Sequence, residues 1–231
     1  MSRLVPWLVL LAAGCHFYDW SLPGPSSDAG TDGTGAGDGG EADGPSDKPR
    51  TNLCTNPSFE TGRTNWAMAF GYTAATLESS PDRAMFGTRS LKVTWPTAVA
   101  ADSTATYNLS GLAISTRYTF SIWAFVPARS PRVKITEAFG GGTDARSINS
   151  STAVTKDAWV RLDMSLNASN PTHYFAIVNE EPASAGQLVY LDGALMEASA
   201  TVGSYFDGDT PGAMWTAAPH ESASTLPTAA E

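Results

Sequence analysis

Aromatic side chains on the polar faces of predicted strands are the groups in this sequence best suited to hold a ligand. Residues 117–126, RYTFSIWAFV, alternate in polarity, which is typical of a strand with one buried face. The apolar face carries Tyr118, Phe120, Ile122, Ala124 and Val126. The opposite face places Trp123 and Phe125 among polar residues. Because an exposed indole ring is a flat apolar surface with a polar edge, Trp123 is the first candidate for a binding platform.

Other strands repeat this pattern or add weaker candidates. In residues 159–166, alternate apolar side chains face inward, and Trp159 faces out with Arg161 at the edge of the strand. Residues 173–179 are apolar on both faces and cannot be oriented, which makes Tyr174 a lower-ranked candidate. Three further aromatic residues are as compatible with core packing as with ligand contact: Trp66, Tyr72 and Trp95.

Residue patterns that would support catalysis are weak. Glu180 and Glu181 are adjacent, so on a strand they point to opposite faces and cannot flank one glycosidic bond. The glycine run at 140–142 lacks the lysine and helix context of a phosphate-binding loop. The histidines show neither metal-ligand spacing nor a nucleophile motif. We therefore expect a protein that is not an enzyme.

Composition limits the classes of fold and partner. The chain has 231 residues, 42% of them hydrophobic, which suits one globular domain with appendages. Its formal net charge of −9 and the lack of a Lys and Arg cluster argue against nucleic-acid binding. Short strand-like segments separated by Gly, Pro, Asn and Ser turns, with no sustained helical period, predict an all-β sandwich of about nine or ten strands.

The N-terminal segment has the outline of a signal peptide over residues 1–14. One cation, Arg3, precedes an apolar run that is shorter than the ~20 residues of a membrane-spanning helix. Residues 11–15, LAAGC, resemble a bacterial lipobox, which implies cleavage after Gly14 and lipid on Cys15. The alternative is an ordinary secretory signal with a chance cysteine. We expect export and lipid anchoring to the bacterial cell envelope, at the outer membrane or cell surface.

Residues 15–50 predict a disordered linker rich in Gly, Asp, Ser and Pro. This stretch has almost nothing apolar to bury, and a Gly-rich coil of its length spans roughly 30 Å. A calcium-binding tract is the alternative interpretation of its acidic residues, but their spacing is irregular. The globular domain is then expected over residues 51–200, followed by a tail at 201–231 that packs partly on it.

Four segments together resemble carbohydrate-binding modules of families 4 and 9. Residues 52–66 contain NPSFE before a Gly turn and a Trp, and residues 86–93 contain the strand pattern Gly-x-x-Ser-Leu-x-Val. Residues 118–123 match the central strand of these modules, and residues 188–192 match the closing strand. The resemblance implies a galactose-binding-like jelly-roll β-sandwich. It also implies noncatalytic binding of polysaccharide, for which our candidate contacts are Trp123, Tyr174, Trp66, Tyr72 and Trp95.

The same resemblance implies a structural calcium ion. The matching ligands are Glu60 and Asp192, with backbone carbonyls near Ser58 and Arg89, and hard oxygen ligands suit calcium. The alternative is that both carboxylates accept hydrogen bonds from turn amides. The expected protein is thus a monomeric, surface-displayed lipoprotein that binds glycan. A structural or adhesive sandwich without a sugar ligand, and a glycoside hydrolase or its accessory subunit, remain the alternative functions.

Overall fold

The computed structural model describes residues 48–68, 75–101, 105–139 and 155–228. The predicted signal peptide, Cys15 and the linker as far as residue 47 lie outside the described residues. No helix with the length and apolar content needed to cross a bilayer occurs in the part of the chain that is described. The regular structure there consists of strands: β1 (Arg50–Asn52), β2 (Trp66–Met68), β3 (Thr76–Ser80), β4 (Ser90–Thr94), β5 (Ala105–Ser110), β6 (Arg117–Phe125), β7 (Val133–Phe139), β8 (Trp159–Asn167), β9 (Thr172–Asn179), β10 (Leu188–Glu197), β11 (Met214–Trp215) and β12 (Ser224–Leu226).

The strands form three antiparallel sheets. The first sheet has five strands in the order β3-β4-β10-β6-β8, and the second has four in the order β2-β5-β9-β7. A small third sheet has the order β1-β12-β11. Consecutive strands often lie in different sheets, as expected for a jelly roll, in which the chain crosses repeatedly between two layers. The predicted all-β sandwich is therefore confirmed.

The core lies between the five-stranded and the four-stranded sheet. The predicted inner face of β6 is buried: Phe120, Ile122 and Ala124 have no exposed surface. The Phe120 ring stacks on Phe175 of β9, with 4.4 Å between ring centroids, and so joins the two sheets. Cys54 is also buried, and this burial raises the pKa of its thiol, which suits a small packing residue.

One polar pair lies inside this apolar layer. Glu137 of β7 and His173 of β9 are 1% and 0% exposed, and the His173 Nδ1 is hydrogen-bonded to Glu137 Oε1. Burying either group alone would be costly, so their pairing is what makes these positions tolerable. The pattern of β9 concealed this arrangement, because a histidine at a strand end is more often exposed.

The C-terminal segment closes the domain by pairing with its beginning. Arg50, Thr51 and Asn52 of β1 are the Cα partners of residues 226, 225 and 224 in β12. The Arg50 guanidinium donates to both carboxylate oxygens of Glu197, at 2.8 and 2.7 Å, and lies 4.8 Å from the centroid of the Phe206 ring. Assigning Arg50 to the linker was therefore wrong: its pairing partners follow about 175 residues later, beyond the reach of local composition.

Asn52 holds this closure together. Its side chain is fully buried and donates from Nδ2 to the carbonyls of Ala194 and Phe206, at 3.0 and 3.1 Å. Its Oδ1 accepts from the amides of Cys54 and Met196, at 3.0 and 3.1 Å. One amide group thus connects the first strand, the closing strand of the larger sheet and the tail.

Candidate binding site

A single row of side chains crosses the outer face of the five-stranded sheet. The Cα register aligns residues that are far apart in sequence: Glu78 with Lys92, Lys92 with Tyr190, Tyr190 with Phe125, and Phe125 with Trp159. The three aromatic members lie on the adjacent strands β10, β6 and β8. Phe125 contacts both neighbours edge to face, with ring centroids 5.8 Å from Trp159 and 6.3 Å from Tyr190. The row therefore forms a continuous aromatic surface.

Arg83, from the turn between β3 and β4, lies over this surface. Its Cζ is 3.7 Å from the centroid of Phe125 and 5.9 Å from that of Tyr190. This contact accounts for the low exposure of the two rings, 5% for Phe125 and 8% for Tyr190, although they face away from the core. A guanidinium stacked on an aromatic face is a favourable cation–π contact.

The surface continues into an open depression of about 630 Å³, here called the aromatic cleft. Such a volume falls within the range of ligand-binding clefts. Its floor and walls are Arg83, Phe125, Pro127, Arg129, Ser130, Asp157, Ser184, Ala185, Gly186, Gln187, Leu188 and Tyr190. Trp159 lies beside it, against Phe125.

Hydrogen bonds between two turns shape the wall of the cleft. Gln187 donates from Nε2 to the Arg129 carbonyl and accepts at Oε1 from the Ser184 amide at 2.7 Å. Asp157 Oδ1 accepts from the amide of Ala128 at 3.1 Å. These bonds fix the backbone of both turns and leave the Arg129 side chain exposed at the rim.

Trp123, the first sequence candidate, is only half-buried, but its ring is enclosed. It lies one row away from the aromatic row, opposite Arg161 and Asp192, and Phe86 meets it edge to face with 6.2 Å between centroids. A Cβ at Gly193 would lie 2.5 Å from Phe86 and 3.1 Å from Trp123, and Gly193 has a φ of +58°, so glycine is required at this bulge. A ligand-binding role for Trp123 stays a prediction.

The other predicted aromatic residues do not converge on one site. Trp66 and Trp95 are 1% and 0% exposed, and Trp66 packs against Phe59 with 5.1 Å between ring centroids. Their burial contradicts the predicted ligand contacts, because a sugar cannot reach a ring inside the core. Tyr174 is half-buried on the outer face of the four-stranded sheet, and Tyr72 lies outside the described residues.

The predicted calcium ligands contact turn amides. Glu60 Oε1 accepts from the amides of Thr88 and Arg89 at 2.8 and 2.9 Å, and Asp192 Oδ2 accepts from Met85 and Phe86 at 2.7 and 3.0 Å. This is the turn-amide alternative. The described residues contain no group of three or more His, Cys, Asp or Glu side chains placed to hold a metal ion. These donors do not form a ready metal cradle, and calcium binding stays a prediction.

A small pocket of about 200 Å³ adjoins these residues. Ser58 and Glu60 line it together with Asp207 and Asp209 from the tail. The Asp207 carboxylate accepts hydrogen bonds within its own turn, from the Asp209 amide at 3.0 Å and from the Tyr205 hydroxyl at 3.0 Å. Asp209 accepts from the Trp215 indole at 3.0 Å. The carboxylates of the tail therefore stabilise its turn.

Asp192 has an altered acidity. Burial raises its pKa to about 7, although the three amides that donate to it, and most directly those of Phe86 and Met85, oppose the shift. The negative charge of Glu60 adds a smaller upward contribution. The contact of Asp192 in the closing strand with the turn amides of Met85 and Phe86, here called the clasp, is thus sensitive to pH.

No catalytic pair was found where the sequence placed adjacent carboxylates. Glu180 and Glu181 both lie close to the Arg132 guanidinium, at 3.7 and 3.1 Å. The aromatic row and Arg83 were not selected as site residues by sequence reasoning. The alternation of polar and apolar residues does predict that Phe125 and Trp159 face outward. Their proximity to Tyr190 and Arg83 depends on the strand register, which the sequence alone did not reveal.

Several solved structures with a similar fold are carbohydrate-binding modules. The C-terminal family 22 carbohydrate-binding module of Clostridium thermocellum Xyn10B aligns with a TM-score of 0.50 at 23% identity, over 67% of this chain and 94% of its own. A xylan-binding domain of family 22 aligns with a TM-score of 0.51 at 23% identity, over 65% of this chain and 97% of its own. The sequence matches no protein-family model and no curated protein. The described domain therefore has the sandwich fold of such modules.

Proposed function

We propose that this chain is a noncatalytic carbohydrate-binding module that binds polysaccharide in the aromatic cleft. The observation that carries the proposal is the row of Tyr190, Phe125 and Trp159 across three adjacent strands. Sugar rings present apolar C–H faces that pack on aromatic rings, and their hydroxyls are satisfied by polar groups at the edge. The half-buried Trp159 supplies an aromatic face beside the cleft, and the cleft lining supplies the polar groups. The cleft is also open, as a long polymer requires.

The likeness to modules described as xylan-binding supports this proposal through the fold alone. Binding at one such cleft would have a dissociation constant near 1 mM, about −4 kcal/mol. Many copies on one surface would strengthen attachment through avidity.

Retention on insoluble polysaccharides tests the proposal. We expect the protein to be retained on one or more of glucan, xylan, chitin and peptidoglycan, and Trp159→Ala to lose most of that retention. Trp215→Ala is the matched control, because it removes a half-buried tryptophan from the three-stranded sheet instead. Trp123→Ala tests the earlier candidate in parallel, and the melting temperature of each variant reports folding.

The outcomes separate the functions. Equal retention of wild type and Trp159→Ala would remove the aromatic cleft as the site. If the protein is retained on none of these polysaccharides, a structural or adhesive surface domain is favoured. Release of reducing sugar by the purified protein would favour a hydrolase.

We also propose that the module is a monomer displayed on the bacterial envelope through lipid on Cys15, with residues 15–49 as spacer. The LAAGC segment and the Gly and Asp composition support this. Labelling with a radioactive fatty acid should be lost in Cys15→Ser, with Cys54→Ser as control, and continued labelling of Cys15→Ser would exclude this attachment site.

A further inference from the structure

The charges at the aromatic cleft differ in sign from those of the chain as a whole. The protein carries a formal net charge of −9, yet two arginines, Arg83 and Arg129, line the cleft. Within the described residues neither arginine forms an ion pair with a carboxylate, whereas Arg50 and Arg132 do. The one carboxylate in the lining is Asp157, which accepts a bond from the Ala128 amide. The cleft therefore has a local excess of positive charge.

The position of Arg83 leaves its charge available to a ligand. The Cζ atom of its guanidinium lies over the Phe125 ring, 3.7 Å from the ring centroid. Stacking engages the face and leaves the N–H groups at the edge of the plane. Those edges form the fork that binds a carboxylate with two parallel hydrogen bonds. Because the stack restricts the side chain, less conformational entropy is lost when a ligand binds.

Lys156, a third cation near the cleft, has a different role. Lys156 donates from Nζ to the carbonyl of Ser130 at 2.5 Å, and burial lowers its pKa. It fixes the turn that carries Arg129. The ligand-facing cations are therefore the two arginines, on different walls of one cleft.

Resting on the proposed function, we infer that the polysaccharide bound by the aromatic cleft is acidic, with carboxylate-bearing sugar residues of the uronic acid type. Trp159, the more exposed ring of the aromatic row, packs against a sugar ring, and Arg83 and Arg129 bind carboxylates along the chain. A neutral glycan offers these two exposed arginines no carboxylate, so the cleft favours an acidic polymer over a neutral one.

Matched polymers test this inference. Binding of the full chain is measured by affinity electrophoresis or calorimetry with polygalacturonate, alginate and glucuronoxylan, each before and after chemical reduction of its carboxyl groups. We expect tighter binding to at least one native polymer than to its reduced form, by about tenfold or more, as for loss of a charge-assisted hydrogen bond. The difference should shrink as salt is raised.

Variants assign the effect to the cleft. Arg83→Gln and Arg129→Gln should each weaken binding to the acidic polymer about tenfold, with little change for the reduced one. Arg83→Lys keeps the charge but loses the planar fork, so its affinity should be intermediate. Arg117→Gln is the matched control, because Arg117 is exposed at the opposite end of β6 from Phe125 and should leave binding unchanged.

Three results would overturn the inference, and they show whether the proposed function fails with it. Equal binding of native and reduced polymers, or full binding by both glutamine variants, refutes the acidic ligand. If that binding is still lost in Trp159→Ala, the proposed function stands. Binding of no polysaccharide, acidic or neutral, refutes both.

Discussion

Removing the Asn52 side chain should be among the most damaging small changes in this domain. Its amide group makes four hydrogen bonds in a fully buried position, two as donor and two as acceptor. Asn52→Ala leaves four backbone groups without these partners. Each unsatisfied buried group costs about 1–3 kcal/mol, and using the lower bound for all four gives a loss of about 4 kcal/mol.

This loss is large against the roughly 5–15 kcal/mol that stabilises a typical domain. It corresponds to a fall in melting temperature of about 10 °C for a domain of this size. Urea unfolding followed by tryptophan fluorescence, with an unchanged m-value, measures the free energy directly. Asn170→Ala is the control, because the half-buried Asn170 makes one bond, to the Thr172 amide at 3.0 Å, which water can replace.

An acidic replacement sharpens the test. Asn52→Asp keeps an acceptor for the amides but turns a second oxygen toward the carbonyls of Ala194 and Phe206. The folded state therefore favours the protonated acid, so this variant should be more stable below pH 4 than at pH 7. A loss below about 1 kcal/mol in Asn52→Ala, or one no larger than in Asn170→Ala, would refute the role assigned to this residue.

Three further predictions concern the clasp and the core. Because burial raises the Asp192 pKa to about 7, the folded state retains a proton that the unfolded chain releases near pH 4. The free energy of unfolding should therefore fall by up to about 4 kcal/mol between pH 4 and 7. Urea unfolding across this range should show this decrease for wild type and not for Asp192→Asn. If calcium binds at Glu60 and Asp192, chelator should lower the melting temperature of wild type but not of Glu60→Gln, and a melt insensitive to both chelator and added calcium would exclude the site. Trp95→Ala should cost about 3–5 kcal/mol yet keep polysaccharide retention wherever it is folded, whereas a folded variant without retention would contradict the core position of Trp95.

The sequence was most informative where a strand alternates cleanly. The residues predicted to face inward on β6 are buried, since a period of two places alternate side chains on one face regardless of what the strand pairs with. The same rule, applied to residues 90–95, places Trp95 on the buried face with Leu91 and Val93, whereas Trp66 begins a strand of three residues that is too short to show a period. Their burial depends on layers formed by distant strands.

The candidate site depended on register. Phe125, Trp159 and Tyr190 are separated by 30 residues or more, and only the pairing of β10 with β6 and of β6 with β8 aligns them. Pairing between distant strands is set by the whole layer, and a single sequence does not encode it locally. Arg83 follows the same logic, because the turn that carries it reaches across β4 to the rings of β6 and β10.

The pairing of β1 with β12 also bears on how the domain could be rearranged. Arg50 and Leu226 are Cα partners, so the two ends of the folded region lie about one strand spacing apart, roughly 5 Å. A short flexible linker from residue 228 to residue 48 would leave every strand pairing intact, and new termini could be opened in an exposed turn such as Ala113–Thr116. Circular permutants of this kind should fold with the aromatic cleft unchanged.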